Sequence, residues 1–482
     1  MTNVPGLVLT VIGVPILGAL TIPLVALLGR QARTVWANVL AFATTASGAM
    51  LVPWVLAGGR GTVLATSALG FTGIHDLFLV DGLALFVALA SSGIGALIVL
   101  YSTGYIAHTE NETEYYTMVL LFIGSMMGLV FSANLIFLYI FWEIAGICSW
   151  RLIGYYRKPE FTRRADKAFL VTFLGASLML FGFFLVFSDA QPRTFDMAGL
   201  RGFPIGSVAM LLIFAGMAAK SATFPLHTWL PDAGIAPATV TGLLHAAVLV
   251  KIGVYAFARL FCCTFTMPAH ATALLGGIAM ASSFIAACAA LIENDIKRIL
   301  AYSTVSQIGY IFLGFAMLDN TVALAGSVFY FLAHGLGKAA LFLCAGVIEH
   351  KTHTRDIREF GGLIRTMPIT AIVFLASALS VVGMPPFAGF FAKFMVVAGT
   401  VQKGEMVLAA GAIATAVLTL IYLLRLFNRV FLGSPAHPAV SEGTPSMLFV
   451  LSIFALLSLL GGLFVGGPMG LVRVAVTQIV SR

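Results

Sequence analysis

Nine lysines occur in the chain, and four of them, Lys220, Lys251, Lys338 and Lys393, fall inside apolar segments. A lysine at the centre of a bilayer costs about 2.5–3.5 kcal/mol to insert. Four would cost on the order of 10–14 kcal/mol by simple addition. A lysine near a helix end escapes this by snorkelling to the headgroups. Lys251, in His245-Ala-Ala-Val-Leu-Val-Lys251, stands too deep for that. An amine taken out of water can lose and regain a proton near neutral pH. The four lysines therefore point to a proton relay.

One carboxylate lies cleanly within an apolar run, Glu143 in Phe141-Trp142-Glu143. A buried glutamate is either paired or protonated. It forms a structural ion pair with an intramembrane lysine, or the same pair with a movable proton. His334 and Lys338 are four residues apart and share a helical face, and Tyr330 extends that stripe one turn back. His245 precedes Lys251 by about two turns, roughly on one face. Each histidine is a helix–helix hydrogen-bond partner or a relay group that titrates near physiological pH. His227, Trp229 and Asp232 either line an access path or satisfy exposed backbone. Glu293, Asp295, Lys297 and Arg298 read as a solvated, charged helix start.

A metal site is not expected, because zinc needs three or four convergent ligands and these histidines belong to different segments. The cysteines, Cys148, Cys262, Cys263, Cys288 and Cys344, are odd in number and form no CxxC pair. Disulfides and iron–sulfur clusters are not expected either. No P-loop or GxGxxG opens a helix, so no cofactor is expected. Any redox chemistry belongs to a partner.

The elements that position these residues are membrane helices. Of 482 residues, 60% are hydrophobic and 10% charged, against roughly 25% charged in a soluble domain. This excludes a soluble enzyme, a nucleic-acid binder and a secreted disulfide scaffold. The net charge of +8 reads as loop charge that orients helices. A bilayer core takes about 20 apolar residues per helix. Fourteen spans are expected, near 4–29, 34–57, 77–106, 114–132, 133–155, 165–188, 205–222, 238–262, 270–292, 296–318, 321–349, 367–396, 405–432 and 446–468. The N-terminus lacks a basic n-region and reads as a retained first helix.

Basic loops follow the first, fifth, ninth and eleventh spans, around Arg30, Arg157, Lys297 and Lys351. All follow odd-numbered spans, which makes that side cytoplasmic and turns both termini outward. The acidic loop at Glu110, Glu112 and Glu114 falls on the same side. Two runs break apolar helices with proline and glycine, one from Lys220 to Pro237 and one from Val382 to Lys393. Broken helices at matching places in two halves suggest a transporter built on repeats.

Several runs resemble the antiporter-like subunits of respiratory complex I. The same family includes the large subunits of Mrp cation/proton antiporters and the membrane subunits of membrane-bound hydrogenases. The runs are His227-Thr-Trp-Leu-Pro-Asp-Ala, then Pro237-Ala-Thr-Val-Thr-Gly-Leu-Leu-His245 through Lys251 to Tyr255. Phe141-Trp-Glu143, Asp295-Ile-Lys-Arg-Ile-Leu-Ala-Tyr302, His334-Gly-Leu-Gly-Lys338 and Pro385-Pro-Phe-Ala-Gly-Phe-Phe-Ala-Lys393 add to them, in family order across about 110–395.

The resemblance implies an all-α polytopic fold of about fourteen helices with two inverted five-helix repeats and discontinuous helices. Within a single transmembrane domain, 1–110 would be N-terminal helices, 111–265 and 266–432 the repeats, and 433–482 a C-terminal helix. It implies a relay of Glu143, Lys220, Lys251, His334, Lys338 and Lys393, with His227, Asp232, His245 and Tyr330 as further relay or access residues. The chain departs from some members at Tyr330, where they carry histidine, at Phe394, where they carry an acid, and at Ala176, where they carry aspartate.

The expected function is a proton-translocating subunit of a redox-driven complex of the NADH:quinone oxidoreductase or hydrogenase type, with no redox centre of its own. The alternatives are a subunit of an Mrp-type cation/proton antiporter and the energising subunit of an inorganic-carbon uptake system. The expected partners are other integral membrane subunits, with a peripheral redox module in the first case and Na⁺ in the second. The expected location is a bacterial or archaeal plasma membrane.

Overall fold

The structure, a computed structural model, describes residues 3–66, 73–107 and 109–481. Twelve helices among the described residues are long and apolar enough to cross a membrane. The first six are α1 (Val4–Ala26), α2 (Arg30–Ala49, extended by Val52–Leu56), α3 (Gly82–Tyr105), α4 (Glu112–Phe131), α5 (Leu135–Ile153) and α6 (Pro159–Asp189). After a short helix α7 (Ser207–Lys220) come α8 (Ala238–Cys262), α9 (Ala271–Ile292), α10 (Ile296–Ala316) and α11 (Thr321–Thr352). Two half-helices follow, α12 (Pro368–Val382) and α13 (Ala388–Gln402), then α14 (Met406–Phe431), α15 (Pro445–Leu463) and α16 (Gly466–Val480). The protein is a multi-pass, all-α membrane protein.

Side-chain caps explain many of the helix starts. The Asp81 carboxylate accepts from Ala84 N at 2.8 Å, Asn134 from Phe137 N at 2.8 Å, Asp295 from Lys297 N at 2.9 Å and Asn320 from Ala323 N at 2.9 Å. α11 ends at His353 and α12 at Gly383, both in the left-handed region that closes a helix.

The two broken runs are breaks in the structure. The expected seventh span is a 14-residue helix, which at about 1.5 Å per residue reaches about 21 Å. That falls short of a hydrocarbon core of about 30 Å, so the segment after Lys220 completes the crossing. The expected twelfth span, 367–396, is two half-helices separated around Pro385 and Pro386, neither of which can continue a ladder of N–H donors.

Three features lie outside the expected pattern. A hairpin of β1 (Gly61–Ala65) and β2 (Asp76–Val80) pairs antiparallel, Thr62 opposite Leu79. Strands β3 (Phe203–Pro204) and β4 (Phe265–Thr266) form a short parallel pair. α16 packs beyond the last expected span, with Gln478 accepting from Gly82 N at 2.7 Å.

The helices buried nearly all round are α8, α10 and α11. Such a helix belongs at the centre of a bundle, yet these three carry Lys251, Gln307, His334 and Lys338. The acidic loop finds its purpose in pairing. Glu112 meets Arg30 and Arg33, and Glu114 meets Arg151 and Arg157. At the same face Asp232 binds Lys167 and Arg298, and Arg355 binds Asp295. Within the helix start expected to be solvated, Glu293, Asp295 and Arg298 are partly exposed, but Lys297 is 1% exposed and pairs with Glu349 at 2.5 Å. Its stem is covered by the chain near Gly234, and its ammonium donates to Ala236 O at 3.0 Å.

Candidate functional site

The polar line begins between α5 and α7. Lys220 ends α7 and is buried, donating to Trp142 O at 3.1 Å with its ammonium 5.6 Å from the Trp142 ring centre. A cation at a helix C-terminus also meets the negative end of the helix dipole. Glu143 is the next residue along α5, and its Oε1 is buried without a partner. Gly146, one turn on, separates the two groups. A Cβ at Gly146 would lie 3.1 Å from Lys220 Nζ and 3.8 Å from Glu143 Oε2. The acid and the amine therefore face one another across a space that glycine leaves open.

The line passes to α8 through neighbouring residues. Ser221 Oγ, beside Lys220, donates to Val250 O, beside Lys251, at 2.8 Å. The helices approach this closely because Gly253 has no side chain; a Cβ there would strike Ser221 Oγ. Lys251 is fully buried and donates to Phe331 O of α11 at 2.7 Å, with its ammonium 4.3 Å from the Phe331 ring centre.

α11 is unbroken from Thr321 to Thr352, so Tyr330, His334 and Lys338 do share one stripe. Lys338 donates to Leu300 O of α10 at 3.0 Å. His334 is fully buried, and neither ring nitrogen has a partner. His245 is likewise buried with both nitrogens unpartnered, and stacks on Phe342 of α11 at 4.2 Å. It lies in a π turn, Leu243–Ala247, that opens the helix where α8 meets α11.

The line ends at the second break. Lys393 donates to Val382 O, the last residue of α12, at 3.2 Å. Its ammonium stands 4.6 Å from the Tyr310 ring centre and 5.8 Å from that of Tyr330. Tyr330 does not reach out as a free hydroxyl. It donates to Gln307 Oε1 at 2.7 Å, and the Gln307 amide bonds Thr419 at 3.2 Å.

Among the described residues, none of the four buried lysines closes an ion pair with a carboxylate. Each ammonium, which has three donors, meets one backbone carbonyl. None of the four ammonium groups is therefore locked to a fixed counter-charge. The remaining candidates behave differently. Asp232 is fully engaged by Lys167 and Arg298, at 2.7 and 2.8 Å, and anchors the broken segment. His227 is half-buried between the Phe224 and Tyr302 rings, and its Nδ1 has no partner.

The sequence reading missed Gln307, the Arg259–Asp81 pair and the burial of Lys297 against Glu349. Gln307 stood alone in an apolar span, a signal that could have been used. Arg259 pairs with Asp81 in a bidentate contact at 2.6 and 2.8 Å, both buried, but each lies near a segment end where charge is unremarkable. Lys297 and Glu349 were hidden for the same reason. Among the described residues no group of three or more metal-ligating side chains occurs.

Among the described residues, twelve helices long enough to span a membrane, a shorter helix ending at Lys220 and a pair of half-helices, with buried lysines and histidines packed among them, fit a class of antiporter-like membrane proteins. The comparisons with known proteins agree. Residues 132–419 match the model "NADH:quinone oxidoreductase/Mrp antiporter, TM", and 72–116 match "NADH-Ubiquinone oxidoreductase (complex I), chain 5 N-terminus". The chain belongs to this NADH:quinone oxidoreductase/Mrp antiporter family. It is 37% identical over 393 residues to a Na(+)/H(+) antiporter subunit of Alkalihalophilus pseudofirmus, covering 75% of this chain and 48% of that protein. It is 35% identical over 431 residues to a Na(+)/H(+) antiporter subunit of Staphylococcus aureus, covering 81% of this chain and 53% of that one. The chain thus spans about half the length of these relatives. Its fold matches a chain of the Mrp complex of Dietzia sp. with a TM-score of 0.89, at 24% identity over 100% of this chain and 98% of that chain. It matches a chain of an archaeal membrane-bound sulfane sulfur reductase equally, TM-score 0.89 at 23% identity, over 98% and 97%.

Proposed function

We propose that this chain is the proton-translocating part of a cation/proton antiporter of the Mrp type, working inside a larger membrane complex. The observation that carries the reading is the line from Glu143 through Lys220, Lys251, His334 and Lys338 to Lys393, with four ammonium sites that no carboxylate closes. The identity of 35–37% to Na(+)/H(+) antiporter subunits favours the Mrp type over the redox-driven type. A redox-driven complex stays the second reading, because the fold match to an archaeal respiratory complex is equally good. Both use the same relay and differ in the source of energy. Moving one charge against 100 mV takes about 2.3 kcal/mol, which a cation gradient or a redox module supplies.

In this proposal Glu143 and Lys220 are the switchable pair. Protonating one amine raises the cost of charging the next, so protons move in coupled steps. Residues 111–265 and 266–432 form the two repeats, each with one broken helix. The ion-paired loops face the cytoplasm and both termini face outward, in a bacterial or archaeal plasma membrane. His227 and the segment that Asp232 anchors form the cytoplasmic access.

The test is Lys220→Ala in the assembled complex. Proton movement should be abolished while the subunits still co-purify, and normal translocation by that variant would remove Lys220 from the relay. Mass spectrometry of the purified complex separates the two readings. Small membrane subunits with Na⁺-dependent activity support the antiporter, and iron–sulfur, flavin or nickel subunits support the redox arm.

A further inference from the structure

Three arginines meet on the face opposite the ion-paired loops. Arg60 precedes β1, Arg201 lies between α6 and β3, and Arg259 stands in the last turn of α8. With Thr62, Cys263 and Thr264 they line a cavity of about 320 Å³. The positive-inside rule disfavours such a cluster on this side, so its presence needs a reason.

Among the described residues the charges here are not balanced. Asp81 accepts from both Nη atoms of Arg259, at 2.6 and 2.8 Å, and so answers one guanidinium of three. Arg60 donates to the carbonyl of Gln478 at 3.1 Å, and Arg201 to that of Ser481 at 3.0 Å. Among the described residues no carboxylate lies within ion-pair distance of either. Arg60 is half-buried. Burial, with the like charges of Arg201 and Arg259 and against the pull of Asp81, holds it below the usual arginine range. On the opposite face Arg33, Arg157, Arg298 and Arg355 have acidic partners, and Arg425 is met by the carbonyls of Leu291 and Glu293 and by Asn294.

We propose that this cavity is a binding site for a phosphate-type oxyanion, held by Arg60 and Arg201 with Arg259 behind them and the Thr62 hydroxyl at the rim. Guanidinium forks match phosphate oxygens in bidentate fashion, and Arg60 and Arg201 bring theirs from two elements, while the fork of Arg259 is taken by Asp81 and Tyr255 and adds only its charge. Each of Arg60 and Arg201 uses one N–H group on a carbonyl and keeps others for a ligand. The anion relieves the mutual repulsion and ties the hairpin, the α6–α7 connection and α16 together, since the carbonyls of Gln478 and Ser481 share these arginines. The oxyanion is free phosphate or the headgroup of an anionic phospholipid at the outer surface.

The experiment uses the whole complex in nanodiscs of zwitterionic lipid, titrated with inorganic phosphate by calorimetry. Arg60→Gln/Arg201→Gln is compared with the parent, and Arg201→Gln alone serves as the variant least able to disturb folding, because that side chain is exposed. Saturable phosphate binding that weakens about tenfold or more in the double variant, as loss of charge-assisted hydrogen bonds predicts, supports a free-anion site. Anionic phospholipid that survives purification with the parent by native mass spectrometry, and is depleted from both variants, assigns the site to a headgroup. Phosphate binding and retained lipid that are the same in the parent and in both variants overturn the proposal. So does retention in which an acidic partner protein, rather than phosphate or lipid, is what both variants lose.

Discussion

The two broken helices treat their lysines differently. At the first, Lys220 faces Glu143 across the space beside Gly146, and the chain beyond it is pinned by Asp232 to Lys167 and Arg298. At the second, Lys393 has two tyrosine rings and one carbonyl for company, and among the described residues no acid in ion-pair contact. Ring faces and a carbonyl dipole stabilise an ammonium weakly, by about 0.5–2 kcal/mol for a ring. A carboxylate in a low-dielectric setting acts far more strongly, and its strength depends on its own protonation. One end of the line therefore carries a lysine whose charge is tied to a second titrating group. The other end carries a lysine in a neutral, fixed cradle. In the proposed relay these two ends are a switch and a resting place.

The largest effect should come from removing the switch. Glu143→Gln keeps the shape of the side chain and leaves Lys220 with no acid to answer. Proton flux in reconstituted vesicles should fall about a hundredfold or more, the usual weight of a positioned proton-transfer group. Flux within a few-fold of normal would make the pair structural and erase the contrast between the two breaks. Gly146→Ala should act in the same direction, more mildly. Its methyl group would crowd Lys220 Nζ, 3.1 Å away, and fill the space beside Glu143 Oε2. The double variant should be no worse than Glu143→Gln alone, because both act on one contact.

The second break is sharpened by separating the ring from the hydroxyl of Tyr330. Tyr330→Phe keeps the face over Lys393 but leaves Gln307 Oε1 without its donor. It should cost about 1 kcal/mol of stability, read by thermal melting, and leave proton flux close to normal. Tyr330→Leu removes the ring as well and should reduce flux. Equal flux in the two variants would mean that the ring does nothing for Lys393.

Much of this contrast was legible in the sequence, and the reason is the cost of charge in lipid. A lysine in an apolar run stands out because so little else explains it, and Glu143 stood out in the same way. The i, i+4 spacing of Tyr330, His334 and Lys338 placed them on one stripe, and α11 keeps it. Proline and glycine at 225–237 and 383–389 marked the breaks. Charge near a segment end gave no such signal, since Lys297 in a buried pair and Arg358 at the surface look alike along a chain. Only packing separates them. The Gly146 space and the Gln307–Tyr330 bond were illegible for a related reason, as both depend on which face of one helix meets another.

The smallest effect concerns the charged loop that the first break leans on. Glu293 sits at the start of that loop, outside the spans, where burial opposes its charge. Hydrogen bonds from Arg298 and from the Asn294 N–H outweigh that opposition, and Glu293 lies below the usual glutamate range. A carboxyl lowered on folding contributes stability that is complete above its unfolded value of about 4.3. That contribution is lost as pH falls through the lower, folded value. Arg298 also holds Asp232, so protonating Glu293 weakens one side of a shared guanidinium rather than the anchor itself. The melting temperature of the complex should therefore fall only slightly as the pH drops below about 4.3, with part of the fall removed in Glu293→Gln. If Asp232→Asn flattens the same profile no more than Glu293→Gln does, the anchor at the first break is no stronger than a surface pair, and Asp232 does not pin the chain beyond Lys220.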